Sequence, residues 1–220
     1  VAAPGDVEVT VLRVFCDERG AFGNPLGVVL DGPSVAADDR QGLARFLGYS
    51  ETVFVDDAAE GRIQINTPEV EMPFAGHPSV GTAWLLRRQG IGIDALHPPA
   101  GEVPVRYDGE LTHVAALPEW CPHFEFRRLP DAAAVEAHPV EPEGLIYVWA
   151  WIDEAVGTVR ARSFVPEAGI AEDEATGAAV VCLCAELGRS IVVRQGQGSV
   201  IHARPQGDGL AEVGGRVVEA

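Results

Sequence analysis

Apolar positions along this chain fall into two kinds of pattern. Most are short runs with a period of two. Val7, Val9 and Val11 alternate with polar neighbours over 7–15, Ile63 and Ile65 share one side of 62–66, and Val159 and Ala161 oppose Arg160 and Arg162 in 158–164. That period predicts half-buried strands. Similar runs predict strands at 26–30, 49–55, 103–107, 112–117, 145–151, 190–195, 199–203, 210–213 and 216–219. One stretch, 38–47, has Leu43, Phe46 and Leu47 on one side and Gly48 after it, as in an amphipathic helix with a glycine stop. Two segments differ from all of these, being apolar or small on nearly every side. The first runs over 78–89, with Pro78 suited to the first helical position and His77 to the N-cap, and it ends at Arg87, Arg88 and Gly90. The second runs over 176–187 and stops at Gly188. A helix without a polar face must be buried.

The two halves repeat one plan: strands, a Pro-Glu pair (Pro68-Glu69, then Pro166-Glu167), a small-residue loop, and an apolar helix that sheet must wrap. This predicts an α+β fold of two pseudo-symmetric domains, each a barrel-like sheet around a central helix. Leu96-His97-Pro98-Pro99-Ala100-Gly101 reads as the hinge, giving domains 1–98 and 99–220 and leaving open whether the last strand returns to the first domain. Two helix N-termini would then face each other across a cleft. Their free N–H groups and positive dipole ends make a site for a small anionic or zwitterionic molecule, with the His77 imidazole at its edge. A repeat alone says nothing about catalysis.

Composition narrows the possibilities. The 220 residues are 47 % hydrophobic and 22 % charged, as in a soluble globular protein, and the formal net charge of −17 argues against nucleic acid and anionic membranes as partners. Lysine is absent, which excludes Schiff-base lysine chemistry and lysine-dependent phosphate loops. Cys16, Cys121, Cys182 and Cys184 form no C-x-x-C pair, and a reducing cytosol is the expected compartment. Cys182 and Cys184 read as small core residues of the second apolar helix. The first residues, Val1 to Asp6, show no leader pattern, and no apolar run reaches the roughly 18 residues of a membrane span. His113, Cys121 and His123 have loose spacing in a Pro-rich stretch and read as packed or solvated side chains, so no metal is expected. Gln195-Gly196-Gln197-Gly198 suits a tight hairpin.

Four stretches occur together in a recognisable order: Ser50-Glu51-Thr52-Val53-Phe54-Val55, then Pro73-Phe74-Ala75-Gly76-His77-Pro78-Ser79-Val80-Gly81-Thr82-Ala83, then Glu172-Asp173-Glu174-Ala175-Thr176-Gly177, then Gln195-Gly196. Across nearly its whole length the chain resembles the phenazine-biosynthesis (PhzF-like) isomerase family. The resemblance implies a diaminopimelate epimerase-like fold, with the site in the cleft between domains. It implies cofactor-free proton movement on a small cyclic amino acid, and commonly a homodimer. By resemblance Glu51 is the acid/base glutamate, and His77 and Asp173 contact substrate. The helix entries Gly76, Thr176, Gly177 and Ala178 then complete the substrate site. The family's serine after Thr-Gly is Ala178 here, and the second half is shortened between about 120 and 144.

The residue types agree with that chemistry. Abstracting a proton beside an amino or carboxyl group needs a base near neutral pKa, which a desolvated carboxyl group supplies. Returned to another carbon, that proton completes a 1,3 or 1,5 shift. His77 would bind or polarise a carboxylate or hydroxyl, and Asp173 would receive an ammonium. Two-thiol racemisation is excluded, because the helix entries Ala75-Gly76-His77 and Ala175-Thr176-Gly177 carry no cysteine. The expected function is thus a cytoplasmic proton-shift isomerase of secondary metabolism. A non-catalytic binding protein and a lyase or dehydratase using the same glutamate are the alternatives.

Overall fold

The computed structural model describes residues 7–220, so the reading of Val1 to Asp6 as lacking a leader lies outside the described residues. The first half contains strands β1 (Thr10–Cys16), β2 (Asn24–Val29), β3 (Glu51–Asp57), β4 (Arg62–Asn66), β5 (Glu71–Met72), β6 (Ala95–Leu96), β7 (Val103–Asp108) and β8 (Leu111–Ala116), with helices α1 (Ala37–Leu47) and α2 (Gly76–Arg88). The second contains β9 (Glu125–Arg128), β10 (Ile146–Asp153), β11 (Thr158–Val165), β12 (Ile170–Asp173), β13 (Ile191–Gln195), β14 (Ser199–Pro205) and β15 (Ala211–Glu219), with α3 (Ala132–Ala137) and α4 (Gly177–Leu187).

Hydrogen bonding links the strands in the order β5-β4-β3-β2-β1-β15-β14-β13-β11-β10-β9, with β8 also on β15, β7 on β8, and β12 on β11. Strand β15 is the junction. Its first residues pair with β8 and β14, and its last with β1, so one strand ties the two halves. The sequence suggests two short strands here, split by Gly214-Gly215. Those glycines are needed instead for close approach: a Cβ on Gly214 would meet the His113 ring, and one on Gly215 would lie 2.8 Å from Phe15.

The apolar pattern places the helices. α2 lies against β1, β2, β3, β8 and β15, and α4 against β14 and β15. From Gly76 to Ala83 every residue of α2 is buried, as are Leu85 and Leu86, and α4 buries Gly177 to Val181. One apolar core runs continuously past both helices. The amphipathic α1 covers Val29 and Phe54 from outside, and α3 covers Val148 and Phe164. The hairpin β7–β8 lies beyond residue 98 yet packs on α2. Strand β9 and helix α3 occupy the Pro-rich stretch between the predicted strands 112–117 and 145–151, where the sequence pattern predicts neither element. They are four and six residues long, too short to show a period, although Asp131 caps α3 by accepting from the Ala134 N–H at 2.8 Å.

Helix α2 begins at Gly76, not Pro78. Ala75 is its extended N-cap (φ −148°, ψ 136°), and the Ser79 N–H makes the first helical bond back to the Ala75 carbonyl at 3.3 Å. His77 therefore lies inside the first turn rather than at the N-cap. Pro78 is tolerated as the third helical residue because no N–H there has an intrahelical acceptor. The N-termini of α2 and α4 abut directly. A Cβ on Gly76 would lie 2.9 Å from the Gly177 backbone, and one on Gly177 would lie 3.0 Å from Gly76 Cα. Backbone meeting backbone leaves no side chain to move aside. Gly177→Ala is expected to destabilise the fold by about 2 kcal/mol or more, read as a lower urea midpoint at unchanged m-value.

Candidate active site

Strand β3 opens with Glu51, and the first turn of α2 brings His77 to it, with Glu51 Oε2 3.3 Å from His77 Nε2. Both are sheltered, the side chains being 16 % and 4 % exposed. Burial pushes the His77 imidazole down to about 4, against the charge of Asp173 and a hydrogen bond to the Pro25 carbonyl. The ring is therefore neutral near pH 7. With the ring hydrogen-bonded to the Pro25 backbone, Nε2 is without any hydrogen-bond partner and is left as an acceptor. Glu51 Oε2 likewise has none. Two acceptors facing at this distance favour a proton between them. Burial pushes the Glu51 carboxyl up to about 7, opposed only by hydrogen bonding to Ser50. At neutral pH Glu51 is thus poised to give or take one proton.

Asp173 reaches the same space from the end of β12. Its Oδ1 accepts from Asn24 Nδ2 at 2.7 Å and its Oδ2 from the Thr176 hydroxyl at 2.5 Å. Burial and then the Glu51 charge raise its pKa, and its hydrogen bonds to Thr176 and Asn24 counter them. Asn24 also donates to the Ala175 carbonyl at 3.0 Å and accepts from the Ser50 hydroxyl at 3.2 Å, bridging the two halves beside both carboxyl groups. Gln195 Nε2 donates to the Asp173 carbonyl and to Thr176 Oγ1, while its oxygen accepts from the fully buried Tyr147 hydroxyl at 2.9 Å.

These groups border a cavity of about 310 Å³ between the halves, large enough for a small metabolite. Glu51, Asp173, Thr176 and Ala178 line it, with apolar walls from Met72, Phe74, Phe124 and Ile170. Glu69 and Glu167, the carboxylates of the two Pro-Glu pairs, stand at the rim, and no arginine is among the lining side chains. Ala75, Thr176 and Ala178 present the first turns of α2 and α4, whose N–H groups lack intrahelical acceptors. Gly76 and Gly177 lie behind this wall, each facing the other, and His77 lies behind Glu51. Among the described residues, no cluster of three His, Cys, Asp or Glu side chains is placed to hold a metal ion, and no helix is long and apolar enough to cross a membrane.

Comparison with known proteins agrees with this geometry. The family model described as phenazine biosynthesis-like protein (PhzC-PhzF) matches residues 12–140. The chain belongs to this family. It is 30 % identical to the trans-2,3-dihydro-3-hydroxyanthranilate isomerase of Pseudomonas aeruginosa, over 85 % of this chain and 82 % of that protein. It is 42 % identical to an uncharacterized isomerase of Mesorhizobium japonicum over 57 % of this chain, a match spanning only 42 % of that relative's length. A phenazine biosynthesis PhzC/PhzF structure from Clostridium difficile superposes with a TM-score of 0.79, 17 % identity and 96 % coverage of both chains. The fold is the diaminopimelate epimerase-like α+β fold.

Sequence reasoning passed over Asn24 and Tyr147, and noted Gln195 only as part of a family motif and a tight hairpin. Asn24 sits in Phe22-Gly23-Asn24-Pro25, which reads as ordinary turn chemistry. The turn is real, since Phe22 and Gly23 are left-handed (φ 62° and 84°), but its effect is to swing Asn24 inward. Phe22 is held there by its ring lying on Gly198, where a Cβ would approach within 2.5 Å.

The raised Glu51 pKa has a definite sign for stability. The folded chain holds this proton more tightly than the unfolded chain. The contribution is therefore full below about pH 4.5 and is lost as pH rises through about 7. His77 acts oppositely: its lowered pKa costs stability at acid pH, and that cost fades as pH rises from about 4 to 6.5. Glu51→Gln keeps a neutral group able to donate to His77 Nε2. It is expected to match wild type near about pH 4 and to exceed it by about 3 kcal/mol near about pH 8, in urea titrations at both values.

Proposed function

We propose that this chain is a proton-shift isomerase acting on small, amine-bearing carboxylates, with Glu51 carrying the proton. The observation that carries the reading is the Glu51–His77 contact at the cavity wall, where a buried carboxyl group titrates at about 7 against a bare imidazole nitrogen. As carboxylate, Glu51 takes a proton from a carbon made acidic by neighbouring nitrogen or unsaturation. As acid, it returns that proton at another carbon of the same ligand. His77 accepts the Glu51 O–H between these events and so stabilises the protonated carrier. Asp173, fixed by Asn24 and Thr176, receives the ligand's ammonium group, and the first turn of α4 at Ala178 offers backbone N–H to its carboxylate. Among the described residues, carboxylates are the only charged side chains lining the cavity, which favours a ligand with a cationic nitrogen. The flat apolar walls suit a ring or an unsaturated skeleton. The name of the Pseudomonas aeruginosa relative adds support, because dihydro-hydroxyanthranilate is such a molecule.

The test is proton NMR in D₂O on a panel of small cyclic and unsaturated amino acids, trans-2,3-dihydro-3-hydroxyanthranilate included. Wild type is expected to place solvent deuterium at one carbon of a substrate, and Glu51→Gln to do so at least about 100-fold more slowly. Equal exchange in both proteins would remove Glu51 from the mechanism. Thermal stabilisation by a ligand without exchange would identify a binding protein on this fold.

A further inference from the structure

Two of the four cysteines meet at a point that the proton chemistry does not use. Cys121 lies on the loop between β8 and β9, and Cys182 is the sixth residue of α4. The loop opens with a single helical turn, Pro118–Trp120, which packs on α4. The Cys182 thiol donates to the Pro118 carbonyl at 3.7 Å, and the Cys121 thiol to the neighbouring Leu117 carbonyl at 3.9 Å. Both sulfurs therefore converge on one turn from residues far apart in the chain. They also sense each other: hydrogen bonding to Cys182, then burial, pushes the Cys121 thiol up, and the same contact draws Cys182 below its ordinary value. Both are half-buried, whereas Cys16 and Cys184 are buried.

The loop that carries Cys121 is a wall of the cavity. Trp120 lies tilted against Phe74 with ring centroids 6.3 Å apart, and Pro122 and Phe124 line the cavity beside Phe74. The facing wall comes from the start of α4, through Thr176 and Ala178. A bond from Cys121 to Cys182 would join these two walls. Neither cysteine lines the cavity, so the pairing stands whether or not Glu51 turns over a substrate.

We propose that Cys121 and Cys182 form a reversible dithiol–disulfide pair that pins the β8–β9 loop to helix α4. A small aliphatic disulfide is the oxidant. The Cys182 thiolate attacks one of its sulfurs and expels a small thiolate, giving a mixed disulfide. Cys121 then loses its proton to solvent and attacks the Cys182 sulfur, expelling the second small thiol. Two protein thiols are oxidised to one disulfide, and the small disulfide is reduced to two thiols.

The test uses the intact, reduced chain equilibrated with oxidised glutathione, acid-quenched, denatured, and then titrated for thiols and mapped by mass spectrometry. The titratable thiols are expected to fall from four to two. The monomer should become lighter by two hydrogens, with one peptide linking Cys121 to Cys182. Oxidation should also slow proteolytic cleavage within 117–124. Cys121→Ser should trap a glutathione adduct on Cys182, Cys182→Ala should keep three thiols, and neither should form an internal link. In wild type, four surviving thiols, a stable glutathione adduct, a link through Cys16 or Cys184, or a link between two chains would each overturn the proposal. The mapping on wild type decides the matter even if a variant folds poorly.

Discussion

Two buried helices meet end to end with only glycine between them, and the site is built on that contact. Because Gly76 and Gly177 carry no Cβ, the N-termini of α2 and α4 close to backbone contact. Both positive helix ends then serve one small volume, and their unpaired N–H groups need an acceptor there. The same closure draws Glu51, which precedes α2 in the chain, and Asp173, which precedes α4, toward one cavity from opposite halves. Strand β15 makes the closure durable by pairing with strands of both halves.

The electrostatics follow from what surrounds those carboxyl groups. The sixteen cations of the chain are arginines, and none lines the cavity. Many are committed elsewhere in fixed ion pairs, such as Arg106 and Arg204 on Glu212 and Arg162 on Glu172. Glu51 is therefore desolvated without a compensating cation, and its affinity for a proton rises. Asp173 is raised as well, by burial and then by the Glu51 charge, but two hydrogen-bond donors of its own counter that rise. The polar chain from Tyr147 through Gln195 and Thr176 to Asp173 and Asn24 holds this arrangement on strands and helix ends rather than on free loops.

Much of this was legible from local pattern. The two uniformly apolar helices announced burial, the period-two runs announced the sheet, and the motifs around Glu51, His77 and Asp173 marked the residues that the fold brings together. Local pattern failed where a residue's role depends on a distant partner. Gly214-Gly215 read as a break, because nothing nearby reveals the His113 and Phe15 rings that lie against them. Asn24 read as a turn residue for the same reason, and Cys182 as core, because its contact, Cys121, arrives from another element.

The sequence by itself determined which two helices are buried, where most of the longer strands lie, and which carboxyl groups and histidine could carry chemistry, since periodicity and residue type are properties of neighbours along the chain. Only the tertiary structure decided that His77 turns a bare nitrogen toward Glu51, that Gly76 and Gly177 touch behind the cavity wall rather than line it, and that two cysteines meet beneath its outer loop. Those outcomes depend on closure of a sheet through contacts far apart in sequence, and desolvation, which sets the Glu51 proton affinity, is a property of everything that closure brings near.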